Sequence, residues 1–230
     1  PKNPDWEERD RLILSNGHIV PVRYATMAHA GYFPIGELKT LRKFGTRLQG
    51  HPERERLPGV ENVSGPLGSG LSQAAGMALG ARMDGKKFQV YCLMSDGEHD
   101  AGNLWEGAMF AGNNKLSNLT GIIDRNNIQI NGMTEDVMPL EPLRDKYEAF
   151  GWHVIDIDGH NMEEIVDSVE KAKAIYEKPT LIIAHTIPGK GIEGMEFDYT
   201  WHGKPPKPEE AKKFLAELRT LKGKIESEHE

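Results

Sequence analysis

The sequence predicts an α/β fold in which a mainly parallel sheet carries helices on both faces. Strand-like and helix-like segments alternate along the 230 residues, which is the pattern of a sheet built from strand–helix–strand units. The strand-like segments are also near-continuous apolar runs, as expected for strands that are covered on both faces. Ligands of such folds bind beyond the carboxyl ends of the strands, so the loops at those ends are the places to look for chemistry.

Four apolar runs, each rich in strand-forming residues, predict the sheet. The first is flanked by the turn dipeptides Asp84-Gly85 and Asp96-Gly97. The predicted strands cover residues 88–94, 119–124, 152–157 and 180–184. Runs this short are far below the length of a membrane-spanning helix, so we expect no membrane segment.

Helices are predicted between and after these strands. Asn161 is a candidate N-cap, and Glu164 three residues later completes an arrangement like a capping box. Apolar residues then recur at helical spacing and predict one buried face: Met162, Ile165, Val166, Val169 and Ala172. A last helix, residues 209–221, would place four apolar side chains together: Phe214, Leu215, Leu218 and Leu221. The other predicted helices cover residues 71–82, 102–114 and 142–150.

Composition bounds the class of protein. A chain of 230 residues, 38% of them hydrophobic, suffices for one large domain or two small ones. The formal net charge of −7 argues against nucleic-acid binding, which needs clustered Lys and Arg. The single cysteine, Cys92, excludes an internal disulfide framework and a cysteine-based metal cage, and it indicates a reducing cytoplasm.

We expect residues 1–230 to form a single domain, with a linker and a C-terminal helix at 205–230. The Pro-rich stretch 205–208 is the linker before that helix. The sequence starts at Pro1 without Met, signal peptide or Arg-rich leader, and it reads as the middle of something longer. We therefore expect upstream material to be missing.

The strongest candidate site combines two loops. Asp96-Gly97 follows one predicted strand, and Asn126-Asn127 follows the next. An Asp and an Asn at the carboxyl ends of two strands can face each other across a cleft, and their oxygens suit Mg²⁺ or Ca²⁺. Gly97 lets the backbone approach a phosphate closely. The alternative is two ordinary turns, since both dipeptides are common in loops, but their joint placement after two strands favours a site.

This pairing resembles the thiamine diphosphate signature, in which a Gly-Asp-Gly opens the motif and an Asn-Asn-like pair closes it at a similar separation. The wider context, EHDAGNLWEGAMFAG at 98–112 and NNIQING at 126–132, is similar to the N-terminal, diphosphate-binding part of transketolase. More specifically, it resembles the separately encoded N-terminal subunit of split transketolases. The resemblance extends from Pro1 to about Pro205.

The resemblance implies a thiamine diphosphate site with a divalent metal. Asp96, the Asn126 side chain and the Ile128 carbonyl would bind Mg²⁺, with Ca²⁺ or Mn²⁺ as alternatives, and the metal would bridge the two phosphates. Gly97 would contact the diphosphate through its backbone. Ser95 stands where the family usually has the first Gly, a departure that we expect a strand end to tolerate.

A second candidate loop is Gly65-Pro-Leu-Gly-Ser-Gly70, which precedes an Ala-rich helix. Gly-rich backbone at a helix start suits an anion, although a plain structural turn is the alternative. The loop lacks the Lys of a Walker A sequence, and Gln73 takes the third Gly position of a dinucleotide fingerprint. It resembles the family's Gly-Pro-Leu-Gly loop, in which the counterparts of Gly65 and Leu67 line the cofactor site. Gly76 and Gly80 on the helix are expected to allow close packing, within the chain or at an interface.

Three of the nine histidines, His18, His51 and His202, lie in loops beside Gly or Pro. A loop histidine is commonly just solvated, but its pKa near neutrality also suits proton transfer. All three match active-site positions of the family, with His51 near the reacting carbon of the donor sugar and the other two between substrate and diphosphate. Ile187 would pack against the cofactor. Other histidines are expected at the surface or in turns (His99, His153, His160 and His229) or in packing (His29 and His185).

Members of the family keep glutamates at the subunit interface that link paired active sites. Glu106 matches one of them, whereas Ala101 stands at the position of the other. Asp100 or Glu98 is a candidate substitute after a small local shift. An ordinary carboxylate on a helix surface is the alternative for Glu106. Ala101 therefore puts communication between sites in doubt, but not binding of metal and cofactor.

The resemblance implies transfer of a two-carbon ketol unit from a ketose phosphate to an aldose phosphate, as in the pentose phosphate pathway. The family's pyrimidine-activating glutamate and its sugar phosphate-binding arginines lie in domains that this sequence does not include, and the family's first helix should precede Pro1. We therefore expect a C-terminal transketolase subunit, with pyrimidine-binding and C-terminal domains, as the partner in an α2β2 heterotetramer.

Alternatives within the same cofactor class are a 2-oxoacid dehydrogenase alpha subunit or a deoxyxylulose phosphate synthase-like subunit. The three histidines and the sequence Gly50-His-Pro-Glu53 favour a sugar donor over pyruvate. A non-catalytic cofactor-binding module is the alternative from a different class.

Overall fold

Five strands form one fully parallel sheet in a computed structural model that describes residues 1–220. The strands are β1 (Arg11–Leu14), β2 (Val90–Ser95), β3 (Leu119–Arg125), β6 (His153–Asp158) and β7 (Thr180–His185). Their order across the sheet is β1-β2-β3-β7-β6, so β1 and β6 are the edges. A short antiparallel hairpin, β4 (Ile128–Gln129) and β5 (Gly132–Met133), follows β3. The predicted fold class is confirmed, and each of the four predicted strands lies within two residues of an observed one.

The helices cover both faces of this sheet. They are α1 (Val20–His29), α2 (Gly70–Met83), α3 (Gly102–Asn113), α4 (Thr134–Val137), α5 (Leu143–Ala149), α6 (Met162–Lys173) and α7 (Pro208–Thr220). Within residues 1–220, no helix is long and apolar enough to cross a membrane. Leu221 and His229, for which we made predictions, lie outside the described residues.

Successive side chains of each strand point to opposite faces of the sheet, so they contribute to two apolar layers. One layer joins Ile123 and Ile183 to α2, α3 and α5. On the opposite face, Ile122 and Ile182 pack with α6, while Leu14 packs with α1. Trp152, 1% exposed, donates from its indole nitrogen to the Ala108 carbonyl at 2.9 Å and so fixes α3 against the start of β6. Truncating such a side chain to Ala costs about 3–5 kcal/mol.

The predicted cap of α6 is present, but its predicted apolar face is too wide. Asn161 Oδ1 accepts hydrogen bonds from the backbone nitrogens of Glu163 and Glu164 at 3.0 and 3.3 Å. Ala172 is buried with its helical neighbours against the sheet, whereas Met162 and Val166 are 68% and 58% exposed. At 100° per residue, these two lie at the side of the apolar arc, beyond the reach of the strands.

Gly76 and Gly80 of α2 do not pack closely within the chain as we expected. A Cβ at Gly76 or Gly80 would meet no atom within 4 Å in the described structure. Close packing inside the chain is therefore excluded for these two glycines among residues 1–220, and a role at an interface stays a prediction. Closely packed glycines occur on α3 instead, where a Cβ at Gly112 would lie 1.9 Å from the Phe150 carbonyl oxygen.

Candidate active site

The loop after β2 places an aspartate at the carboxyl edge of the sheet. β2 and β3 pair so that Ser95 lies opposite Asp124, which brings their loops to the same edge. Asp96 then caps a 3-10 turn over Gly97–Asp100, and its Oδ1 accepts a hydrogen bond from the Gly97 nitrogen at 2.7 Å. The Gly97 N–H is thus engaged by Asp96. A Cβ at Gly97 would approach the Gln129 Oε1 to 2.8 Å, so a side chain there would displace the Gln129 amide.

The carboxylate of Asp96 is fully buried and heavily hydrogen-bonded. Its Oδ2 accepts from Arg125 Nη1 at 3.0 Å and from the Asn127 nitrogen at 2.7 Å. Burial raises the pKa of Asp96, while the hydrogen bonds from Asn127 and Arg125 act against this rise. Since every partner is a donor, the arrangement suits the ionised carboxylate, which only accepts.

The two predicted loops meet, but through Asn127 and not through Asn126. Asn127 has a left-handed φ of 63°, and its N–H donates to Asp96 Oδ2. The Asn126 side chain donates to Asp124 Oδ2 and accepts from the Ile128 nitrogen, both at 3.0 Å. Asn126 and Ile128 line a cavity of about 230 Å³, and the Asp96 carboxylate is buried, with 0% exposure.

The predicted metal ligands do not form an acidic cluster. Within residues 1–220, no group of three or more His, Cys, Asp or Glu side chains is arranged to hold a metal. The predicted set of Asp96, Asn126 and Ile128 differs from such a cluster, because two of its three oxygens belong to a side-chain amide and a backbone carbonyl. Oxygen donors of these types are ligands that Ca²⁺ and Mg²⁺ accept.

The three predicted histidines come together around one large cavity. Its volume is about 830 Å³, and its walls include His18, His51, Gly65, Leu67, Gly97, Ile128 and His202. The rings of His18 and His202 lie 5.5 Å apart between centroids, at 43° to each other. The smaller cavity that contains Asn126 shares His18 and His202 with this one. Loops from widely separated parts of the chain thus converge on these two rings.

Electrostatics at this cavity favour a neutral His18. Partial removal from water lowers the pKa of His18, and repulsion from His202 and then His51, when they carry a proton, lowers it further. A neutral imidazole has one nitrogen that accepts a proton. The neutral form of His18 can therefore accept a proton, and the lowered pKa makes it a weaker base than a solvated histidine.

Glu98, which sequence reasoning treated only as a candidate interface residue, is buried beneath the cavity at 1% exposure. Its carboxylate accepts from Ser15 Oγ at 2.7 Å, from the Gly68 nitrogen at 2.8 Å and from the Ser95 nitrogen at 2.9 Å. These bonds join the end of β1, the Gly-rich loop and the end of β2. Burial raises the pKa of Glu98, and the three donors oppose that rise. Because its carboxylate points inward, Glu98 is not placed to replace the glutamate lost at Ala101.

His99 was predicted at the surface or in a turn; it lies in the 3-10 turn over Gly97–Asp100, but it is buried and not at the surface. It is 2% exposed, with Nδ1 at 2.9 Å from the Ser95 carbonyl oxygen and Nε2 at 2.9 Å from Tyr147 Oη. Nδ1 faces carbonyl oxygens and so carries the hydrogen, which leaves Nε2 to accept from the tyrosine. Burial lowers the pKa of His99 to about 4. The rings that surround it come from Trp105 on the neighbouring α3 and from Tyr147 on α5, far along the sequence.

Two further polar side chains near the histidines lack partners. Both amide atoms of Asn16 and the hydroxyl of Ser64 are buried without a hydrogen-bond partner among residues 1–220. Asn16 lines the smaller cavity, beside Asn126 and His18. Buried polar groups are normally hydrogen-bonded, so an unpaired amide on a cavity wall marks a place for a polar ligand. In the sequence, the only indication of this role for Asn16 is its place directly before Gly17 and His18.

Two other predicted positions lie apart from the histidines. Ile187 lines a separate cavity of about 520 Å³, where its nitrogen donates to His160 Nε2 at 2.7 Å. Glu106 is exposed on α3. Asp100 lines the large cavity, and burial raises its pKa. The structure therefore unites the three histidines, the Gly-rich loop and the Asn126 loop, but it does not place Ile187 on their shared cavity.

Comparison with known sequences and structures identifies the family. A family model described as "Transketolase, thiamine diphosphate binding domain" matches residues 1–221. The 6-deoxy-6-sulfo-D-fructose transketolase subunit SqwG of Clostridium sp. (strain MSTE9) is 48% identical over 218 residues, which are 95% of this chain and 79% of that one. An apulose-4-phosphate transketolase subunit from Phocaeicola vulgatus is 41% identical over 229 residues, 100% of this chain and 81% of that one.

Solved structures agree with the sequence comparison. The crystal structure of transketolase from Campylobacter jejuni superposes with a TM-score of 0.89 at 36% identity. The match covers 95% of this chain but only 35% of that one. The chain thus spans most of the length of the two subunit relatives and about a third of the longer transketolase. The chain belongs to the transketolase family, as an N-terminal, thiamine diphosphate-binding domain.

Proposed function

We propose that this chain is the diphosphate-binding subunit of a split transketolase, which transfers a two-carbon ketol unit from a ketose phosphate to an aldose phosphate. The observation that supports it most directly is the convergence of His18, His51 and His202 on one cavity. Ketol transfer needs protons to be moved at sugar hydroxyls, and imidazoles titrate in the required range. The two relatives named as transketolase subunits support the division into two chains.

The residues present fit thiamine diphosphate with a divalent metal. Asn16 offers an unpaired amide on the wall of the cavity that Asn126 and Ile128 also line. We propose that Asp96, the Asn126 side chain and the Ile128 carbonyl hold Mg²⁺, with Ca²⁺ or Mn²⁺ as alternatives, since all three contribute oxygen. Bound thiamine diphosphate supplies a nucleophilic carbon and takes up the electrons left when the ketol unit is detached.

Residues of this chain would bind and orient these groups. Gly65, Leu67 and Gly97 are proposed to contact the cofactor from the wall of the large cavity, and Ile187 from the separate cavity beyond Asn127. The Gly97 N–H now donates to Asp96 Oδ1. If that oxygen serves the metal, the Gly97 N–H becomes available to a phosphate oxygen.

The histidines are proposed to act on protons and hydroxyls. His18 is biased toward its neutral form, so it can accept a proton, and His202 lies beside it. Both are expected to hydrogen-bond the diphosphate and the sugar. His51, on the wall of the same cavity, is proposed to face the donor sugar near its reacting carbon.

A second subunit is proposed to complete the site in an α2β2 assembly. This partner would carry the pyrimidine-binding and C-terminal domains. The substrate of the assembly would be a sugar with an anionic group. The two relatives are named for a sulfonated ketose and a phosphorylated sugar, which supports this class of donor. We also propose a reducing cytoplasm as the compartment, on the ground of the single cysteine.

The decisive experiment measures ketol transfer by the chain with its partner subunit, thiamine diphosphate and Mg²⁺, over a panel of anionic ketoses. We expect turnover with the partner and none from the isolated chain. Substituting His51→Asn should lower kcat/KM by roughly 10²–10⁴-fold, the contribution typical of an acid–base group. His153→Asn is the matched control, because His153 begins β6 at the opposite edge of the sheet. Robust activity of the isolated chain would overturn the proposal.

A further inference from the structure

One buried arginine, Arg125, joins the two loops of the proposed metal site. Its side chain is 3% exposed. Nη1 donates to Asp96 Oδ2 at 3.0 Å, and Nη2 donates to Glu135 Oε1 at 2.6 Å and to Glu141 Oε1 at 3.0 Å. A guanidinium stays charged at any physiological pH, and its planar fork holds several oxygens in fixed directions. Arg125 therefore imposes a geometry on the groups around it.

The carboxylates bound to Arg125 also hold the backbone of the segment that follows. Glu135 Oε1 accepts from the Leu140 nitrogen at 3.1 Å, and Glu141 Oε2 accepts from the Leu143 nitrogen at 2.8 Å. Asp96 Oδ2 accepts from the Asn127 nitrogen. The hairpin that carries Ile128 lies within this segment. Loss of the guanidinium would thus leave the carboxylates at both ends of the segment without the charge that links them.

The same contacts make the two oxygens of Asp96 unequal. Oδ2 receives two donors, one of them charged, whereas the hydrogen bond to Oδ1 comes from the adjacent Gly97 nitrogen at 2.7 Å. The Oδ1 bond is local to the turn, and it is the one that a metal ion can most readily replace. Around Arg125, three carboxylates face one guanidinium, so the cluster has two negative charges in excess when all are ionised. A divalent cation would balance that excess.

We propose that Arg125 is a positioning residue for the metal: it fixes Asp96 Oδ2, leaves Oδ1 as the ligand oxygen, and keeps the Asn126–Ile128 loop beside Asp96. This inference rests on the proposed function, because it assumes a metal bound by Asp96. It gives a role in metal binding to a residue that touches neither metal nor substrate. An arginine that served stability alone would affect folding and leave the metal requirement unchanged.

The test titrates Mn²⁺ into the full chain in the presence of thiamine diphosphate and the partner subunit, and follows free Mn²⁺ by electron paramagnetic resonance. Arg125→Met removes the charge and the fork, and Arg125→Lys keeps the charge alone. We expect half-saturation to rise by about 10–100-fold in Arg125→Met, the usual effect of losing a group that orients a ligand, and by a smaller factor in Arg125→Lys. The matched control is Arg144→Met, which removes an exposed arginine that also pairs with two carboxylates, Glu148 and Asp156.

The outcomes separate this inference from the proposed function. If the unsubstituted complex binds no Mn²⁺, the proposed function is wrong. If it binds Mn²⁺ and both Arg125 variants show unchanged half-saturation, the inference is overturned even if their melting temperatures fall. Should Arg125→Met fail to fold, Arg125→Lys decides by the same measurement, and a half-saturation equal to that of the unsubstituted chain again overturns the inference.

Discussion

Asp96 and Glu98 are two buried carboxylates separated by a single residue, and the protein satisfies them in different ways. Asp96 is 0% exposed and pairs with the Arg125 guanidinium. Glu98 is 1% exposed, and its three hydrogen-bond partners are all neutral: the Ser15 hydroxyl and two backbone nitrogens. No cation contacts Glu98 in the described part of the chain.

The difference shows how one turn supports two tasks. Pairing with an arginine suits a carboxylate that must stay ionised and keep one oxygen available to a cation. Neutral donors suit a carboxylate that ties three segments together, because each N–H or O–H has a fixed direction. Asp96 is thus the proposed metal ligand, and Glu98 holds the loops around it. The following predictions test this division, from the largest expected effect to the smallest.

Replacing Asp96 with Asn should have the largest effect. The substitution leaves Arg125 with two partly exposed carboxylates and places an NH₂ group among donors. We expect a loss of about 3 kcal/mol in the free energy of unfolding, since the ion pair with Arg125 is lost and the amide NH₂ group must face one of three buried donors. The Mg²⁺-dependent rise in melting temperature with thiamine diphosphate should also disappear. Urea unfolding and thermal shift measure the two effects, with exposed Asp167→Asn as control, and an unchanged thermal shift would contradict the assignment.

The stability of the folded protein should depend on pH through His99, which follows Glu98 in the same 3-10 turn. Its pKa is about 4 in the folded protein and near 6.5 when unfolded, so the unfolded state binds more protons between these values. Stability should therefore fall as pH drops from about 6.5 to 4, by up to about 3 kcal/mol. Urea unfolding of the native chain and of His99→Gln at several pH values isolates this contribution by difference. If the free energies of unfolding of the two proteins change in parallel with pH, this contribution of His99 is ruled out.

Glu98→Gln tests the neutral-donor side with an almost isosteric change. Three donors point at the carboxylate, and an amide has one accepting oxygen, so its NH₂ group must face a donor. We expect a loss of about 2 kcal/mol, the cost of a buried polar group without a partner, together with weaker binding of thiamine diphosphate. The control is Glu106→Gln on the exposed surface of α3. If Glu98→Gln matches this control in urea unfolding, Glu98 does not hold the loops.

Ser15→Ala should give the smallest effect. The Ser15 hydroxyl donates to Glu98 and accepts from the Gly70 nitrogen at 3.2 Å, at the start of α2. Its loss leaves Glu98 with two donors and the Gly70 N–H without an acceptor, and we expect about 1 kcal/mol of destabilisation. Differential scanning calorimetry of Ser15→Ala beside Ser117→Ala measures it. A double substitution with Glu98→Gln should be less than additive, because both act on one hydrogen-bond network.

Local patterns were enough to predict most of the sheet and the loops that meet at its edge. The predicted strands are apolar and bounded by turn residues, so periodicity finds them. β1 was missed because it is four residues long, follows a charged stretch, and lies at an edge where Leu12 is 42% exposed. The burial of His99 could not be predicted, because it depends on Tyr147, whose side chain arrives only through tertiary packing.

The ion pair of Arg125 was beyond sequence reasoning for the same reason. Nothing local distinguishes Arg125 from a solvated arginine, and its partners come from three separate segments: Asp96 from the turn after β2, Glu135 from α4 and Glu141 from the stretch before α5. Resemblance to a family supplied the roles of the histidines and of the Asn126 loop, but it did not supply these supporting contacts. A family match transfers positions, whereas the bonds that hold those positions depend on this chain's own residues.

The order of strands in the sheet also has a consequence for synthesis on the ribosome. β7 is made last of the five strands, yet it lies between β3 and β6. β6 pairs with β7 alone in the sheet, so it has no partner strand until Thr180–His185 has emerged. Up to that moment, the nascent chain exposes unpaired edges of β3 and β6, which are the kind of surface that chaperones shield from aggregation. A pause in translation before residue 180 would lengthen this exposure.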